Sequence, residues 1–167
     1  MKKRLAFVLV VLLAVSSFCF ADGFDIGLSA RLPAVEEIDL AVGLNIAGSV
    51  YFNNFVGIGI FGNVLYDIGS DDLGMIFDAL LGPVIKVVNN TNFSLPVAFG
   101  VYGYYPLVFS NISGDNLNVG IGASGTAQVK FGRTNHFYFR LQAAYEFLNG
   151  GEFVINPSVG VGFGRNR

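Results

Sequence analysis

Large apolar residues fall at every second position through eight stretches of this chain, with Gly, Ser, Asn or a charge between them. The clearest is Phe137, Phe139, Leu141, Ala143, Tyr145, Phe147, interleaved with Tyr138, Arg140, Gln142, Ala144 and Glu146. A period of two puts the two sets on opposite faces of a strand. Eight such stretches leave the chain little to form except a sheet with one continuous apolar face.

That face cannot be left to water, and the composition says what covers it. Met1-Lys2-Lys3-Arg4 precedes the 11-residue apolar run Leu5 to Val15, and Ser16-Ser17-Phe18-Cys19-Phe20-Ala21 follows. A charged start, a short apolar core and a small residue at a cleavage point describe a secretory signal peptide over 1–21, cut after Ala21. The run is short of the ~18 apolar residues of a spanning helix. Bulky Phe18 before Cys19 argues against lipoprotein processing. The domain is then 22–167, 146 residues without a cysteine and hence without disulfides. Loss of three of the ten Lys and Arg leaves seven against twelve acids, a net charge of −5. Nineteen charged residues in 146 is about half the ~25% of soluble domains. With no second run long enough for a spanning helix, lipid-facing strands must close into a barrel, the other structure that satisfies its whole backbone in a bilayer.

The alternation places strands near 23–32, 38–52, 56–66, 76–88, 94–105, 117–131, 136–148 and 153–164. Most exceed the ~9–11 residues that cross hydrocarbon at a tilt. Connections alternate in length. Those at Asn53-Asn54-Phe55, Asn89-Asn90-Thr91-Asn92 and Arg133-Thr134-Asn135 are tight and rich in turn formers, whereas 67–75 and 106–116 are longer and polar. Short turns at one end and long loops at the other is the outer-membrane arrangement. Aromatics gather near both strand ends, Phe24, Phe52, Phe55, Phe93, Phe131, Phe137 and Phe163 at the short-turn end and Tyr66, Phe77, Tyr105, Phe147 and Phe153 at the other, as two interfacial girdles would. The long loops hold Glu36, Glu37, Asp67, Asp71, Asp72, Asp115 and Glu152 with no Lys or Arg. The fold class expected is all-β, a closed eight-stranded antiparallel transmembrane β-barrel.

Little in the chain points to catalysis. Gly57-Ile58-Gly59-Ile60-Phe61-Gly62 and Gly120-Ile121-Gly122-Ala123-Ser124-Gly125 both spell G-x-G-x-x-G. A dinucleotide site needs that spacing on a turn opening a helix, and here the glycines sit inside strands, as small residues facing a narrow lumen. His136 is the single histidine and lies beside a short turn, on the wrong side for the outer rim where a lipid-modifying enzyme would need it, with no metal-ligand partner of its own kind. Carboxylates at Asp71-Asp72 suit a divalent cation, but solvated loop charge accounts for them. The expectation is no catalytic residue, no cofactor and no metal.

The informative polar set is internal. Asp25, Arg31, Asp39, Asp78, Lys86, Lys130, Arg140 and Glu146 all fall on the face opposite the apolar one. Charges in a narrow interior are costly unless paired, so these read as a lumen charge network, with Arg31 opposite Asp39 across the first hairpin. Phe61, Leu65, Tyr102, Tyr104 and Tyr138 share that face. Eight strands enclose only enough room for side chains, so the bore is expected to be filled.

Signal peptide, eight amphipathic strands, tight turns and the terminal strand Ile155, Val159, Val161, Phe163 together resemble the small outer-membrane barrels of the OmpX, OmpA-barrel and OmpW kind. The resemblance implies residence in the outer membrane of a double-membraned bacterium, among its lipids, as a monomer inserted by the barrel-assembly machinery. The chain departs from the family in ending Gly164-Arg165-Asn166-Arg167 after the last aromatic. Roles in the family differ, so three remain open. One is a structural or surface-interaction protein, meeting an extracellular ligand or host surface through its acidic loops. Another is a narrow OmpW-like channel for small hydrophobic or polar solutes. The last is a soluble exported barrel with the bulky set turned inward around a ligand. Nucleic acid is not an expected partner.

Overall fold

The computed structural model describes residues 22–33, 40–68, 74–108, 117–132, 134–147 and 151–164. The segment 1–21, Asp39, and the acids Glu36, Glu37, Asp71, Asp72 and Asp115 lie outside them. Eight strands follow in order: β1 (Gly23–Pro33), β2 (Ala41–Tyr51), β3 (Val56–Asp67), β4 (Gly74–Asn89), β5 (Phe93–Val108), β6 (Asn118–Phe131), β7 (Asn135–Glu146) and β8 (Glu152–Gly164). Each pairs antiparallel with its neighbours, and β8 returns to β1 with Gly23 opposite Gly164 and Leu32 opposite Ile155. The sheet is a closed barrel. Every strand expected from the alternation is present, and β4 and β5 run further than expected, to a Gly74–Val108 pair. Backbone pairing continues there although the apolar alternation has stopped.

The bulky set points outward. Leu28 is 64% exposed and Val101 58%, while Leu65, Leu80, Tyr102 and Val154 on the opposite face are fully buried. An inside that is partly charged and an outside of Leu, Ile, Val and Phe invert the soluble plan. A ligand-binding barrel with its bulky set inward is therefore contradicted by the geometry. Exposed aromatics mark both ends, with Phe52, Phe55, Phe131, Phe137 and Phe163 at the short turns and Tyr66, Phe147 and Phe153 at the other. Phe131 stacks on Phe137 at 4.5 Å between ring centroids.

Asparagines build two of the short turns. Asn53 Oδ1 accepts the N–H groups of Phe55 and Val56 at 2.8 Å each. Asn90 Oδ1 does the same for Asn92 at 3.0 Å and Phe93 at 2.7 Å. Each side chain replaces the backbone partner that the turn withholds.

Two details depart from the sequence reading. A bulge interrupts β4 between Lys86 and Val88, where Lys86 pairs with Pro96 but Val88 with Leu95. Val87 and Val88 both face out, and Asn89, opposite buried Ser94, turns inward with Lys86. A continuous alternation would have sent Asn89 to the lipid side. The glycines of the two G-x-G-x-x-G stretches also divide. Gly57, Gly59, Gly120 and Gly122 share the inner face of β3 and β6, whereas Gly62 and Gly125 fall on the outer. At Gly59 the reason is space, since a Cβ would lie 2.8 Å from Val84 and 3.0 Å from the Phe61 ring.

Candidate functional site

The bore holds one connected set of polar side chains, to which every strand contributes and β7 contributes most. Its lower part centres on Arg140, which is 1% exposed. Arg140 Nη2 donates to Asp25 Oδ2, Nη1 to Asn45 Oδ1 at 2.7 Å and Nε to Thr126 Oγ1 at 2.9 Å, so all three guanidinium nitrogens are engaged. Its guanidinium carbon also lies 4.8 Å from the ring centroids of both Phe61 and Tyr138. The second oxygen of Asp25 sits 2.8 Å from His136 Nε2. The same Nε2 also lies 3.1 Å from Gln128 Nε2.

Amides carry the set upward. Tyr138 donates to Asn45 Oδ1 at 3.0 Å, and Asn45 Nδ2 donates to Asn63 Oδ1 at 2.7 Å. Asn63 Nδ2 then reaches Asp78 Oδ1 at 2.6 Å, and Asn156 Nδ2 reaches Asp78 Oδ2 at 3.0 Å. The Tyr102 hydroxyl also approaches Asp78 and accepts from Arg31 Nη1 at 2.8 Å. Arg31 Nη2 closes the upper end on Glu146 Oε1 at 2.8 Å, with Arg31 stacked 4.1 Å over Tyr104. The groups from His136 to Glu146 thus share partners along the bore.

Apolar side chains fill the rest of the bore. Phe61, Leu80, Val84, Ala98 and Tyr102 pack with Ala47, Ala144 and Val154, and Ala41, Leu65 and Ile76 form a second cluster beside Tyr104. Strand parity contributes to this: inward positions of β3 to β5 carry mainly apolar and small residues, whereas those of β7 carry His136, Tyr138, Arg140, Gln142 and Glu146. In so narrow a space the Arg31–Glu146 pair is dry. Breaking such a pair by removing one partner costs about 3–5 kcal/mol, although an apolar replacement of both is often neutral.

Of the eight charges singled out in the sequence, Asp25, Arg31, Asp78, Arg140 and Glu146 meet in this set. Lys86 and Lys130 do not. They stand at the short-turn mouth, Lys86 Nζ 3.7 Å above the Tyr51 ring and Lys130 Nζ bonded to Asn89 Oδ1 at 2.8 Å and the Asn90 carbonyl at 2.7 Å. Arg31 is bound to Glu146 on β7, two strands round the barrel, and Asp39 lies outside the described residues. Sequence reasoning missed the neutral links Asn45, Asn63, Thr126 and Asn156, whose inward parity was the available signal. Among the described residues no three His, Cys, Asp or Glu side chains converge as metal ligands would.

Comparison with solved structures completes the picture. Ail, the attachment invasion locus protein of Yersinia pestis, superposes with a TM-score of 0.59 at 17% identity, over 84% of this chain and 95% of Ail. Neisserial surface protein A gives 0.66 at 8% identity, over 86% and 97%. The N-terminal β-barrel domain of Pseudomonas aeruginosa OprF gives 0.55 at 14% identity, over 86% and 98%. This is the fold of the small eight-stranded outer-membrane barrels. No protein-family model matches the sequence, and no curated protein matches it. At these identities the barrel shares architecture with its neighbours, and its function must be argued from its own residues.

Proposed function

We propose that residues 22–167 form an integral outer-membrane barrel, exported under a signal peptide at 1–21, with a bore closed by its own side chains. Its role is structural or one of surface interaction rather than transport or catalysis. The observation that carries this reading is the shared hydrogen-bond set from His136 to Glu146, packed among buried apolar side chains in the bore. A solute of any size must break several dry, charge-assisted bonds to pass, each worth about 1.5–3 kcal/mol. The short turns then face the periplasm and the long acidic loops the outside. Two neighbours are named for attachment and for the cell surface. Ail has also been solved with the heparin analogue sucrose octasulfate. With acids but no Lys or Arg in its long loops, this barrel suits a cationic partner instead.

Conductance of the purified protein in planar bilayers tests the closed bore. Wild type is expected to be silent, with leak appearing in Arg140→Ala and Glu146→Ala. Large, stable wild-type channels would overturn the reading and favour the narrow-channel alternative.

A further inference from the structure

The short-turn mouth opens into a cavity of ≈ 70 Å³, against the ~10–15 Å³ that one water needs by the same measure. Its walls carry Lys86, Lys130, Tyr51, Asn89, Ser94 and Gln128. Among the described residues, ion pairs engage Arg31, Arg140 and His136 but neither lysine. Both ammonium groups are nevertheless held in place, one over the Tyr51 ring and the other by Asn89 and Asn90. Of the two described acids at this mouth, Asp25 is held in ion pairs and Asp22 remains a charge acting on Lys86. Asp25 is bound by Arg140 and His136, and Asp22 Oδ2 accepts the Tyr51 N–H at 3.0 Å.

Two further features single the cavity out. Ser94 is fully buried, lines it, and its Oγ has no hydrogen-bond partner among the described residues. A buried hydroxyl left without a partner is costly. The β4 bulge lies beside it, and by resetting the parity it brings Asn89 inward with Lys86, three positions away, so that Asn89 can orient Lys130. Bulges re-aim side chains in this way beside functional sites.

We propose that this mouth binds a phosphate-type oxyanion between the Lys86 and Lys130 ammonium groups, with the Ser94 hydroxyl as a third donor. A compact, strongly hydrated ammonium pairs with phosphate as a point charge, and two of them outnumber the Asp22 carboxylate. The exposed ring of Phe52, Phe55, Phe131, Phe137 and Phe163 surrounds the same end, at the level where phospholipid headgroups lie. Free phosphate and a headgroup phosphodiester therefore offer the same chemistry here. Such a site needs the closed barrel but not a closed bore.

The test uses the purified protein in a phosphate-free, non-ionic detergent with chloride present as competitor. Inorganic phosphate is titrated in one arm and a short-chain phosphatidylglycerol, below its micellar concentration, in the other, while amide shifts of Ser94, Gln128 and His136 are followed. Saturable shifts are expected in at least one arm, weakened about tenfold or more in Lys86→Gln/Lys130→Gln. Saturation with inorganic phosphate assigns a solute site, and saturation with the lipid alone assigns a headgroup site. Ser94→Ala removes no charge from the mouth and should weaken binding less, in a protein that stays folded. The absence of saturable shifts in both arms, or equal shifts in wild type and the double variant, would overturn the site.

Discussion

Arg31 on β1 and Glu146 on β7 meet at 2.8 Å inside the bore although β8 lies between their strands, and their side chains are only 5% and 2% exposed. Two charges so dry depend on each other. Arg31→Ala or Glu146→Ala alone strands the partner and is expected to cost about 3–5 kcal/mol in urea unfolding from lipid vesicles. Arg31→Met together with Glu146→Leu removes both charges at similar volume and should fall close to wild type. A double variant as unstable as the singles would mean that the pair contributes through shape and not through charge.

Replacing Gly162 is expected to cost stability. A Cβ there would collide with His136 Nε2 and Asp25 Oδ1, so the bond between those two groups needs a position without a side chain. Gly162→Ala should lower stability by about 1–3 kcal/mol, the range for forcing volume into a packed site, and the His136 imidazole NMR signals should move. Gly125→Ala is the control. Nothing lies within 4 Å of a Cβ at that outward position, and its unfolding midpoint should stay near that of wild type.

Depth along the outer face gives a third expectation. Val101, near the middle of β5 and 58% exposed, should tolerate Arg poorly, at about 2–4 kcal/mol, while Phe52 beside the first short turn should accept it at about 0–1. Urea titrations in vesicles measure both. Equal costs at the two positions would mean that no apolar slab surrounds the barrel.

How far these relationships are legible in the sequence depends on the range over which they are set. Facing follows from alternation wherever a strand is unbroken, because it cannot move Leu28 inward without moving Ser29 out. Partner choice inside the bore does not. Inward parity marks Arg31 as a lumen residue, but its meeting with Glu146 rather than a hairpin neighbour depends on how the strands are staggered when the sheet closes. The β4 bulge is hidden for a different reason. Val87 and Val88 are both apolar and both suit the outer face, so the change of parity leaves no mark until Asn89 is found opposite Ser94. The cavity at the short-turn mouth was unreadable in turn, since it depends on that bulge.

Lipid coverage of the apolar outer face is tested by electrophoretic heat-modifiability after extraction of outer membranes. The protein is expected to stay with the membrane fraction, to need detergent for release, and to migrate differently before and after boiling. Recovery as a soluble periplasmic monomer that folds without lipid or detergent would contradict it.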